Sequence, residues 1–232
     1  AGGVLAVAAA GLAASLFIPP APPAADRPAL DRNLVRSTAA ILRHSRATRS
    51  LFLSILGISW FFALGAVLTQ QFVPLVERMN ADETVGAFFL GLFSVGVAIG
   101  SLLVGRLLKG EISARYVPVS ALVIAFAVID LAFSARAIAP AGVTVGVAGF
   151  LDLPGSWRLI ADLIVIAIAG GVYIVPLYAL LQTCGDPESR SRDIAANNVV
   201  NAAGMVLISL IVGGLLAAGT GIETVFLVLG LF

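Results

Sequence analysis

A small set of side chains with hydrogen-bonding or ionisable groups stands inside or at the ends of otherwise apolar runs of this chain. Asn197, Asn198 and Asn201 fall within an arc of about 100° on one helix, and three amides are too costly to face lipid. They must face protein or a water-filled cavity, as interhelical hydrogen bonds or as part of a substrate path; both readings stay open. Tyr173 falls about 20° from Asp162 at helical spacing, while Tyr178 and Gln182 pair on the opposite face. Trp60 sits near mid-depth of its run beside Ser59, and Gln70 near the end of the same run beside Thr69 and Gln71. These amides, phenols and the indole offer neutral hydrogen bonds to a polar group with apolar walls around it. Asp130 and Asp162 are the carboxylates within apolar runs. Each has a plain reading, Asp130 snorkelling outward and Asp162 as a helix-start carboxylate, and a sharper one, proton coupling.

Catalytic chemistry finds no footing. The single cysteine, Cys184, and single histidine, His44, form no metal-ligand cluster. Lys109 is the only lysine and follows no glycine-rich phosphate loop. His44 is followed at acyltransferase spacing by Arg49 rather than an acid, and no Gly-x-Ser-x-Gly elbow occurs. The segment reads as neither an enzyme nor a cofactor or metal binder.

The elements that position these residues follow from composition. Of 232 residues 59% are apolar and 12% charged, against roughly 45–50% and 25% in soluble domains; the mean hydropathy is +1.05. So little polar surface could not cover a soluble domain. A net charge of +1 gives no polybasic footprint for nucleic acid. Apolar runs of transmembrane length cover 1–18, 51–73, 84–105, 116–135, 159–182 and 194–218. A seventh, 224–232, stops after nine residues, so the sequence reads as a piece of a longer protein with its last helix truncated. The expected class is an all-α membrane protein.

Basic residues orient it. Loops 19–50, 106–115 and 183–193 hold eleven Lys and Arg, and the opposite loops hold three. The positive-inside rule puts the eleven in the cytoplasm. Residues 19–50 are proline-rich and then arginine-rich, a semi-rigid spacer leading into a basic stretch over 34–50 that reads as a solvated linker or a helix on the inner membrane face. The apolar loop 136–158 reads as resting at the outer membrane surface. Glycines 96 and 100 suit close helix packing, and Gly170-Gly171 with Pro176 would let their helix bend.

The long basic loop 19–50, the short basic loop after the third run, and Gly100-Ser-Leu-Leu-Val-Gly-Arg-Leu-Leu-Lys-Gly110 together resemble the second half of a major facilitator superfamily transporter. On that resemblance residues 1–18 are the last helix of the N-terminal bundle, 19–50 the cytoplasmic central loop and 51–232 the C-terminal six-helix bundle. Gly105, Arg106 and Lys109 occupy the family's loop signature, with Gly105 where the family has an acid. Four further strings resemble the bacterial lysophospholipid transporter branch. They are Ser54-Ile-Leu-Gly-Ile-Ser-Trp60, Pro154-Gly-Ser-Trp-Arg158, Gly170-Gly-Val-Tyr-Ile-Val-Pro-Leu-Tyr-Ala-Leu-Leu-Gln182 and Arg190-Ser-Arg-Asp-Ile-Ala-Ala-Asn-Asn-Val-Val-Asn201. Asp193 stands where that branch implies an apolar residue.

The resemblance implies alternating access in the bacterial inner membrane. Its cargo would be lysophosphatidylethanolamine-like lipid, flipped inward for reacylation. The implied partners are membrane lipids, a small amphipathic substrate and a fused or associated acyltransferase. Two alternatives stand beside it: a proton-coupled drug or metabolite exporter of the same superfamily, and a membrane anchor for a fused acyltransferase. An anchor needs no intramembrane amides.

Overall fold

A computed structural model describes residues 2–17, 19, 43, 46, 48–185 and 189–232, and the chain divides into two compact units, Ala1–Arg32 and Asn33–Phe232. Most of loop 19–50, including the stretch that reads as a basic helix, lies outside the described residues. In the first unit α1 (Gly2–Ser15) is apolar and exposed throughout. Its 14 residues reach about 21 Å at 1.5 Å each, short of a bilayer's hydrocarbon core of about 30 Å. The apolar run to residue 18 therefore overstates the helix. The Ser15 hydroxyl donates to the Leu12 carbonyl at 2.7 Å, and Pro19 and Pro20 follow, which disfavour helix before them.

The second unit contains α2 (Arg49–Gln70), α3 (Phe72–Arg78), α4 (Glu83–Leu107) and α5 (Val117–Ala137). After them come α6 (Val147–Leu151), α7 (Ser156–Thr183), α8 (Arg190–Ala217) and α9 (Ile222–Leu231). Among the described residues there is no strand, only one isolated bridge, Ala81 to Val145. Among the described residues five spans are long and apolar enough to cross a membrane: α2 with α3 as one run, α4, α5, α7 and α8. The chain is an all-α, multi-pass membrane protein.

Pro74 explains the break between α2 and α3. It has no N–H to offer the Gln70 carbonyl, so Gln71 closes the turn alone, donating to Val67 and Leu68 at 3.0 and 3.2 Å. The helix resumes at Phe72, with Pro74 in its first turn, and runs to Arg78. At the start of α4, the Asp82 carboxylate accepts from the Thr84 N–H at 2.9 Å, the usual N-cap bond.

Helix α7 is the centre of this unit, packed against α2, α4 and α5; α8 lies along α2, and α9 along α5. The α4–α7 seam is backbone on backbone. A Cβ at Gly100 would fall onto the Ile168 carbonyl, one at Gly171 onto the backbone of Val97 to Ser101, and one at Gly96 within 2.5 Å of the Ala167 Cβ. Gly170 sits under the Phe61 ring. The paired glycines of α7 are thus used for close approach, and α7 runs on through Pro176 as one helix.

At the α3 end, loops are tied together. Asp82 N–H donates to the Val145 carbonyl at 2.9 Å, Val145 N–H to Asn80 at 3.1 Å and Ala141 N–H to Met79 at 3.0 Å. Phe150 of α6 is fully buried and packs edge-on against Phe89 at 5.4 Å. Part of the apolar content of loop 136–158 is therefore turned into the protein rather than laid on a surface. Arg78 joins three elements, meeting Glu223 of α9 at 2.7 Å and donating to the Ala135 carbonyl of α5 at 2.6 Å.

Candidate functional site

The intramembrane polar residues gather in two places. The first lies where α2 meets α7 and α8. Asn201 is buried, and its Oδ1 accepts from the Ser59 hydroxyl at 2.6 Å. Asn197, one turn earlier on the same face, is buried with its Oδ1 unpartnered. Asn198 is exposed. The three-amide arc therefore splits, two amides entering the seam with α2 and the third lying on uncovered surface. Ser59 was legible only as a neighbour of Trp60, because its bond to Asn201 joins residues far apart in sequence.

Aromatic rings continue this site. The Tyr173 hydroxyl donates to the Gly57 carbonyl at 3.2 Å, and a Cβ at position 57 would press on the side-chain ends of Leu177 and Tyr173. The Tyr173 ring packs between Trp60 at 5.3 Å and Phe61 at 5.9 Å. Tyr178, half-buried, meets Phe62 edge-on at 6.4 Å. Two grooves open beside these rings. One, of about 320 Å³, runs between α2 and α8 past Leu56, Ser59, Trp60, Gly204 and Ile208. The other, of about 740 Å³, runs past Trp60, Tyr173, Pro118, Ala121 and Phe126. They adjoin at Trp60 and Phe232. Their walls are apolar, and the lining residues that carry polar side-chain atoms are Ser59, Trp60 and Tyr173. Such a surface suits an apolar chain with a hydrogen-bonding group attached.

The second gathering lies between α5 and α7, nearer the α3 end. Arg158 clasps Asp130 with two bonds, Nη2 to Oδ1 at 2.5 Å and Nε to Oδ2 at 3.1 Å. Ser134 donates to Asp162 Oδ2 at 2.6 Å, and Asp162 is buried. Asp162 interacts electrostatically with both Asp130 and Arg158. The two carboxylates singled out from separate runs thus belong to one cluster, with Arg158 as its cation. The signal for Arg158 was its place four residues before Asp162, which puts both on one helix face.

The remaining residues stand apart. Gln70 and Gln182 are exposed; the buried amide at the end of α2 is instead Gln71, whose Oε1 has no partner. Gly105, Arg106 and Lys109 are exposed at the far end of α4. Asp193 is buried in the first turn of α8, accepting from Ser189 at 3.2 Å. Among the described residues no group of three or more His, Cys, Asp or Glu could hold a metal. No family model, curated protein or solved structure matches the chain.

Proposed function

We propose that the chain is part of a secondary transporter of the major facilitator type. It works by alternating access and carries lysophospholipid inward across a bacterial inner membrane for reacylation. Loops 19–50, 106–115 and 183–193 face the cytoplasm in this reading, and membrane lipid and an acyltransferase are its partners. The observation that carries it is the pair of adjoining grooves at Trp60, with apolar walls and the Trp60 indole common to both. A single acyl chain fits the walls. A zwitterionic headgroup needs hydrogen bonds without a strong net charge; the Trp60 indole N–H offers one, and the Ser59 and Tyr173 hydroxyls, which donate to Asn201 and Gly57, can still accept. The close α4–α7 seam, built on Gly96, Gly100 and Gly171, supports the mechanism, since small residues let helix backbones approach closely.

The Asp130–Arg158–Asp162 cluster favours a second reading, a proton-coupled exporter of drugs or metabolites. Asp130, paired with Arg158, and Asp162, held by Ser134, interact with each other, and ionisable residues within transmembrane segments mark proton relays in pumps and transporters.

The test uses the full-length protein in cells lacking their own lysolipid importer. Asn197→Leu and Asn201→Leu variants, matched for membrane content, should lose uptake of radiolabelled lysophosphatidylethanolamine. Uptake unchanged in both would remove the amides from the path. Export that depends on Asp162 and on a proton gradient would favour the second reading.

A further inference from the structure

A third groove, of about 400 Å³, lies apart from both polar gatherings, between α3 and the first half of α4. Its walls are Phe72, Val73 and Val76 from one side and Gly86, Ala87 and Leu90 from the other. Val73 is 62% exposed and Leu90 49%, so the groove is open along its length. At one end stand two carboxylates, Glu77 near the end of α3 and Glu83 at the start of α4. Both are exposed, and among the described residues neither has an ion-pair partner. The nearest guanidinium in sequence, Arg78, is spent on Glu223 and the Ala135 carbonyl.

The local helices account for only one of these acids. Glu83, in the first turn of α4, is favoured by the helix dipole; Glu77, in the last turn of α3, is opposed by it. The groove holds about 400 Å³. Its volume is that of a small-ligand site. Apolar walls with negative charge at the end of a membrane span match one kind of occupant: an acyl chain along the walls with a cationic group at the interface above it.

We propose that the α3–α4 groove binds one acyl chain of a phospholipid whose headgroup carries a primary ammonium, with that ammonium between Glu77 and Glu83. The site requires only that the chain spans a membrane and is independent of the transport reading. An anionic headgroup without an ammonium is repelled by the same two carboxylates. The chain and the headgroup are held by different residues, so occupancy and selectivity separate.

The full-length protein in nanodiscs of equal phosphatidylethanolamine and phosphatidylglycerol, released for native mass spectrometry, tests this. Wild type should retain phosphatidylethanolamine several-fold over phosphatidylglycerol. Glu77→Gln with Glu83→Gln should bring the two to parity with total lipid retained little changed. Ala87→Phe, which fills the groove from an exposed position, should lower retention of both. Equal retention by wild type, a preference that survives the double Gln variant, or full retention in Ala87→Phe would each overturn the proposal.

Discussion

Replacing Asn201 by alanine removes the acceptor of the Ser59 hydroxyl, and replacing Ser59 removes the donor. A double-mutant cycle on thermal unfolding should give a coupling of about 0.6 kcal/mol and no more than about 1.7. A coupling near zero would mean the bond does not join α2 to α8. The Asp130–Arg158–Asp162 cluster predicts a different pattern. Arg158→Ala leaves two carboxylates facing each other without their cation, so it should lower the melting temperature, and adding Asp130→Asn should restore part of the loss. An additive result would separate Asp130 from Arg158. The four-residue spacing made the Asn197–Asn201 face legible in the sequence. The bonds Ser59–Asn201 and Ser134–Asp162 were not, because helical periodicity says which residues share a face and nothing about which helix that face meets.

At the scale of elements, the tightest constraint is the α4–α7 seam. Gly100→Leu places a side chain on the Ile168 carbonyl and should cost about 1–3 kcal/mol or more through overpacking. Gly105→Leu, where no atom lies within 4 Å of the added Cβ, should stay within about 0.5 kcal/mol. Thermal unfolding of the two variants in one detergent decides it; equal losses would contradict the seam. The sequence marked Gly96 and Gly100 as packing residues and the structure names their partner, α7. Span ends were less legible. Apolar runs stop at the first charge, whereas helices continue to a cap or a proline, so the run from 159 to 182 became Ser156–Thr183 and the run from 194 began at Arg190. The run ending at 73 proved to be interrupted rather than ended: the helix breaks at Gln71 and resumes at Phe72, because Pro74 in the new first turn removes one hydrogen bond without stopping the helix.

For the whole molecule, the hydropathy of the chain already implied a multi-pass helical membrane protein, and its five long apolar helices agree. Order in space was another matter. That α7 lies at the centre while α8 is attached chiefly to α2 follows from glycine and aromatic contacts that no single run displays. The basic loops predict that a cysteine placed at Lys109 is reached by a membrane-impermeant thiol reagent only from the cytoplasmic side, and one at Asp152 only from outside, with Cys184 replaced by serine. Labelling of both from the same side would overturn the orientation. The central claim, transport of a single-chain phospholipid along the grooves beside Trp60, is tested most directly by one comparison in cells expressing the full-length protein. Radiolabelled lysophosphatidylethanolamine is set against glycerophosphoethanolamine, which has the same headgroup and no acyl chain. The account predicts uptake of the first, well above empty-vector cells, and none of the second. Equal uptake of both, or uptake of neither, would contradict it.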